Sequence, residues 1–157
     1  MRGRAWIWAL VAFAVAAAAL LGVFVVSSLE DGADEGDPLA RGEYLFETGR
    51  AVGGTPVPRS GGMMMAQGCA GCHGEDGRGR TTPRFAAPDI TYDNLTDPEG
   101  MLEPDGERGH TFTDEELQRA IEEGIGPDGE ELDWPMPRWR LTDSQFEDLL
   151  AYLKTLP

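Results

Sequence analysis

The chain has 157 residues, with 13 basic and 28 acidic side chains and a formal net charge of −15 at pH 7. An acidic excess of this size disfavours nucleic acid and anionic lipid as partners, because both are polyanions. Two cysteines are too few for a disulfide-stapled scaffold, and the length suits one domain plus an N-terminal segment.

Arg2 and Arg4 precede an uncharged, proline-free apolar run from Ala5 to Val26. As a helix at ~1.5 Å per residue this run would cross the ~30 Å of a bilayer interior. The apolar core of a cleaved signal is shorter, about 7–15 residues. Residues 1–28 are therefore expected to be a retained transmembrane anchor, with a long signal cut near Val26-Ser27-Ser28 as the alternative. Arginines before the run and acids after it predict a cytoplasmic N-terminus and a periplasmic, extracytoplasmic remainder. Residues 29–38 are rich in Asp, Glu and Gly and read as an acidic tether to a domain over 39–157.

A first helix is predicted from Asp37-Pro38, Asp as N-cap and Pro in the first turn, through Tyr44, Leu45 and Phe46 to Gly49. Residues 51–62 are rich in Gly and Pro and read as loop. Met63-Met64-Met65-Ala66 reads as a short helix leading into Cys69-Ala70-Gly71-Cys72-His73. Gly74 to Gly79 reads as a tight glycine-rich loop, and residues 80–110 as a long loop wrapped around something. Thr113 with Glu116, and Thr142 with Gln145, form capping boxes that open two further helices. Leu117, Ala120 and Ile121 line the first of these, and Phe146, Leu149, Leu150 and Leu153 the second. Between them lies the loop Trp134-Pro135-Met136-Pro137-Arg138-Trp139. The expected fold is all-α, a small domain of 3–5 short helices with no sheet. Its apolar stripes are short enough that a buried cofactor would have to complete the core.

The pentapeptide 69–73 carries the chemistry. Two cysteines two residues apart, followed at once by histidine, is the spacing for covalent haem attachment. Each thiol can add across one vinyl group, and His73 is then held where its imidazole can ligate the iron from the proximal side. Zinc would need four ligands, and adjacent Cys72 and His73 are awkwardly placed for one tetrahedral ion. A dithiol redox site would need a βαβ pattern around the CxxC, and the flanks show none. For the sixth, distal iron position Met136 stands out, fixed between two prolines in a loop. Met101 and His110 are reserves, with His110 expected to be exposed. Met63, Met64 and Met65 are expected to pack near the ring.

From about Leu39 to Leu156 the chain resembles the class I c-type cytochromes. The matching pieces are Cys69-Ala70-Gly71-Cys72-His73-Gly74, the helix Thr113 to Leu117 ending in Gly124, Met136-Pro137, and Leu141-Thr142-Asp143 leading to Leu150-Ala151-Tyr152-Leu153. The resemblance implies one covalently bound haem c, with Cys69 and Cys72 as thioethers and His73 and Met136 on the iron. It implies a crossing of first and last helices at a glycine and an aromatic residue, matched by Gly42 with Phe46 and by Tyr152. It also implies a proline carbonyl that accepts the Nδ1 proton of His73, matched by Pro88 or, second, Pro83. Arg138 and Trp139 are expected near a haem propionate. The 27-residue separation of Gly42 from Cys69 exceeds the usual one. Either residues 49–62 are an insertion, or the first helix is a shorter one over Gly61–Met65.

The function expected is a membrane-anchored, non-enzymatic electron carrier in a respiratory or photosynthetic chain. Its partners would be redox proteins with a basic docking face, although high-salt adaptation would give the same acidic surface. The alternatives are a haem c subunit of a terminal oxidase, a quinol-oxidising complex or a periplasmic dehydrogenase, and a haem enzyme or sensor with an open sixth site.

Overall fold

A computed structural model describes residues 36–63 and 67–157. The predicted anchor and residues 29–35 of the tether lie outside the described residues, as do Met64, Met65 and Ala66. Among the described residues no helix is long and apolar enough to cross a membrane. Five helices follow in order: α1 (Pro38–Thr48), α2 (Ala70–His73), α3 (Tyr92–Leu95), α4 (Asp114–Glu122) and α5 (Asp143–Leu153).

The helix boundaries follow local chemistry. Asp37 caps α1 by accepting from the Leu39 N–H, with Pro38 in the first turn. Gly49 ends it at φ 66°, which glycine adopts without a Cβ penalty. Both predicted capping boxes are present: Thr113 with Glu116 opens α4, and Thr142 with Gln145 opens α5.

The first and last helices pack together. A Cβ on Gly42 would stand 2.8 Å from the Tyr152 Cβ and inside the radius of the Asp148 carbonyl oxygen. Glycine therefore allows the close approach. Phe46 and Tyr152 meet at 5.3 Å between ring centroids, tilted by 55°, and Arg41 grips Asp148 with two bonds of 2.7 Å. The crossing identifies Pro38–Thr48 as the first helix. Gly61 and Gly62 take φ values of 68° and 69°, so neither is helical, and Met64 and Met65 of the alternative Gly61–Met65 helix lie outside the described residues.

Two expectations are corrected. The fold was expected to have no sheet. It has two ladders of two residues per strand: β1 (Arg59–Ser60) against β4 (Arg138–Trp139), and β2 (Arg80–Thr81) against β3 (Ala86–Ala87), both antiparallel. Two-residue strands leave no period-2 pattern to read. The 80–110 stretch is not one loop: it holds the β2–β3 hairpin, α3 and a Leu102–Arg108 bridge.

The core forms two clusters. One joins Leu45, Phe46, Val57, Ala70, Trp139, Leu149 and Leu153. The other joins Leu95, Met101, Phe112, Leu117, Ala120 and Phe146.

Candidate haem site

The cysteines and histidine share one turn of helix. His73 N–H donates to the Cys69 carbonyl at 2.9 Å, and Cys72 N–H to the same oxygen at 3.1 Å. Residues three and four apart are neighbours on a helix surface, which places Cys69 beside both Cys72 and His73. Gly68 lets this turn pass under the end of α1: a Cβ there would lie 2.6 Å from the Glu47 carbonyl carbon.

Gly74 terminates α2 at φ 84°, and the chain reverses through Gly77 and Gly79. The Gly79 N–H donates to the His73 carbonyl at 2.7 Å. A Cβ on Gly79 would sit 2.7 Å from the Pro88 carbonyl carbon, so the returning strand can lie directly against this turn. The pairing of Arg80 with Ala87 then delivers Pro88 to the histidine.

His73 Nδ1 lies 2.9 Å from the Pro88 carbonyl oxygen. A carbonyl only accepts, so Nδ1 carries the proton and Nε2 of the neutral ring keeps its lone pair. Nε2 has no hydrogen-bond partner among the described residues. Burial lowers the His73 pKa, against an opposing pull from the Pro88 bond and the Asp89 charge. The structure thus leaves the ring neutral, oriented and with one nitrogen free, as a metal ligand requires. Pro83 is exposed in the Thr82–Phe85 turn and takes no part.

Both cysteines are free. Burial pushes the Cys69 thiol up to about 12. It raises Cys72 as well, against the lowering charges of Arg80 and Arg59. A dithiol exchange site works through a thiolate, which burial disfavours at both cysteines. Among the described residues no group of three or more His, Cys, Asp or Glu could hold a metal ion. Cys69 instead lines an apolar hollow with Leu45, Ile121, Trp139, Leu141 and Leu149.

Met136 is half-buried in the loop between α4 and β4. Its N–H donates to the Asp133 carbonyl at 3.1 Å. Arg138 clamps the loop, with Nη1 donating to the Met136 carbonyl at 2.6 Å and Nη2 to the Leu132 carbonyl at 2.7 Å. The guanidinium lies where a Cβ on Gly124 would be, so that glycine makes room for it. Trp139 is buried, with the Arg59 guanidinium 5.2 Å from its ring centroid. Of the reserve ligands, Met101 is 4 % exposed in the second core cluster, and His110 is exposed, 3.8 Å from Asp128.

Sequence reasoning missed the clamp by Arg138 and the part played by Gly62 and Met63. The only sequence signal was Gly61-Gly62 lying between two prolines and a methionine run.

The family model for cytochrome c matches residues 40–157. The chain therefore belongs to the cytochrome c family, whose members are electron-transfer proteins that carry haem c bound covalently. No curated protein and no solved structure is matched. The residues present fit the group: Cys69 and Cys72 have the attachment spacing, His73 offers a free ring nitrogen, and an apolar wall lies beside Cys69.

Proposed function

We propose that this protein is a membrane-anchored, single-haem electron carrier of class I type, with its haem domain on the extracytoplasmic side. When bound, haem supplies an iron that cycles between ferrous and ferric. Cys69 and Cys72 would hold it through thioethers, and His73 Nε2 and the Met136 sulfur would ligate the iron. The observation that carries this reading is the His73–Pro88 contact, which engages Nδ1 and leaves Nε2 as the ring nitrogen available to a metal.

Each residue has a defined task. The Pro88 carbonyl holds the proton on Nδ1 and prevents ring rotation, so the ligand does not reorganise when the charge on the iron changes. Met136 contributes a neutral sulfur, which raises the reduction potential relative to a second histidine. Arg138 and Trp139 lie beside the Met136 loop, and their place near a propionate belongs to the same reading. The apolar Ala5–Val26 run supports the anchor, and the acidic excess supports redox partners with a basic docking face, in a respiratory or photosynthetic chain or within a larger oxidoreductase.

Met136→Ala tests the axial pair. The ferric spectrum should change from low-spin to high-spin, and the iron should open to cyanide or carbon monoxide. An unchanged spectrum refutes Met136 as ligand. Haem staining after denaturing electrophoresis tests covalent attachment, and it should vanish in Cys69→Ala/Cys72→Ala.

A further inference from the structure

The Met136 loop has few ties of its own beyond the Met136–Asp133 bond and the Arg138 clamp. Pro135 and Pro137 have no N–H, so the residues flanking Met136 offer only carbonyls to the rest of the fold. Beyond those ties, further donors and steric contacts come from outside the loop. Loops of this kind open more readily than the elements around them.

The 49–63 segment supplies these contacts. Its strand β1 pairs with β4, Arg59 opposite Trp139 and Ser60 opposite Arg138. The pairing extends at both ends: Arg140 N–H donates to the Pro58 carbonyl at 2.8 Å, and Met63 N–H to the Pro135 carbonyl at 3.3 Å. Between these bonds Gly62 is buried against Pro137. A Cβ on Gly62 would stand 2.7 Å from the Pro137 nitrogen and 2.8 Å from its Cα and Cβ. Gly62 and Met63 thus touch both neighbours of Met136. The other end of the segment is tied to the core, where Val57 is 5 % exposed and donates its N–H to the Gly49 carbonyl at 3.0 Å.

We propose that this segment is a strap that positions Met136, with Gly62 and Met63 as positioning residues that keep the loop closed over the sixth iron site. The proposal rests on the axial role of Met136 given above. The strap links α1 to the distal loop, so the fraction of time the loop is open, and an outside ligand can reach the iron, depends on the Gly62–Pro137 contact.

Two adjacent glycines make the test internally controlled. Gly61 and Gly62 share nearly the same positive φ, but a Cβ on Gly61 meets nothing within 4 Å. Gly61→Ala therefore carries the backbone strain alone, and Gly62→Ala carries the strain and the collision. Cyanide association with the ferric, detergent-solubilised full-length holoprotein reads loop opening. Gly62→Ala should bind cyanide about tenfold faster than both wild type and Gly61→Ala, with haem content unchanged. A rate within twofold of Gly61→Ala overturns the proposal, even if the variant is less stable. Val57→Ala loosens the strap at its core end and keeps the test open if Gly62→Ala does not fold. It should raise the rate about threefold, and no change beyond experimental error overturns the proposal. Failure of the axial reading looks different: Met136→Ala would then keep its low-spin spectrum.

Discussion

Gly42→Ala sets two opposed effects against each other. Alanine is the better helix former by about 1 kcal/mol in a helix interior, so propensity alone predicts a more stable protein. Packing predicts the reverse. The new methyl would lie 2.7 Å from the Asp148 carbonyl carbon and 2.8 Å from the Tyr152 Cβ. Carbon atoms rest at about 3.5–4.0 Å, so the helices must separate by roughly 1 Å. Such separation disturbs the Phe46–Tyr152 ring contact and the Arg41–Asp148 pair on either side. Overpacking in a core costs about 1–3 kcal/mol, and an aromatic pair is worth about 0.5–1.5 kcal/mol beyond its area. Net of propensity, a loss of about 2 kcal/mol is expected. At about 3–6 °C per kcal/mol for a domain of this size, the unfolding midpoint should fall by about 6–12 °C. Thermal unfolding of the holoprotein, followed by far-ultraviolet circular dichroism, measures it. A midpoint equal to or above wild type would refute the crossing.

Asp148→Ala should cost about 2 kcal/mol. That is less than the ~3–5 kcal/mol for a fully buried pair, because the Arg41 side chain is 27 % exposed and keeps part of its water. Denaturant unfolding of both single variants and of Arg41→Ala/Asp148→Ala should give a coupling of about 1 kcal/mol; additive variants would show that the two bonds contribute nothing. Glu116 governs part of the acid limb. Its carboxylate accepts from the Thr113 N–H and hydroxyl, both at 2.9 Å, and these bonds hold its pKa below the usual range. A lowered folded pKa gives stability that is present above the unfolded value of ~4.3 and lost as pH falls through the folded one. Glu116→Gln keeps an acceptor but does not titrate. Wild type should therefore lose more stability than this variant between about pH 5 and pH 3; parallel pH profiles would exclude the capping carboxylate as the cause.

Features written in adjacent residues were legible. Helix caps are local chemistry: Asp37-Pro38, Thr113 with Glu116 and Thr142 with Gln145 each state a start within four residues. The CxxCH turn is local as well, and its attachment spacing needs no tertiary contact. The β1–β4 ladder joins residues far apart in sequence through only two pairs, so nothing in either segment announces the other. The position of the first helix was ambiguous for a related reason. Gly42 with Phe46 and Gly61 with Met65 have the same spacing, and only the contact with Tyr152 separates them. The resemblance placed Arg138 near a haem propionate and gave no hint of a role in holding the loop. Two of its donors instead go to backbone carbonyls, a use that depends on the loop path and on the space at Gly124.

The divided core shows how the loop-rich residues 36–157 are held together. Ile90, Ile121 and Leu141 pack against both clusters, and none of the three is fully buried. Ile121 and Leu141 also line the hollow that contains Cys69. The seam between the clusters thus carries partly covered apolar side chains, and it lies beside the attachment turn. Apolar surface left against water forgoes about 25 cal/mol per Å², so a flat apolar group inserted there would stabilise the fold while being held by it. The same side chains then serve two ends. They close the seam, and they would give a haem held at Cys69 an apolar wall that reorganises little when one electron moves.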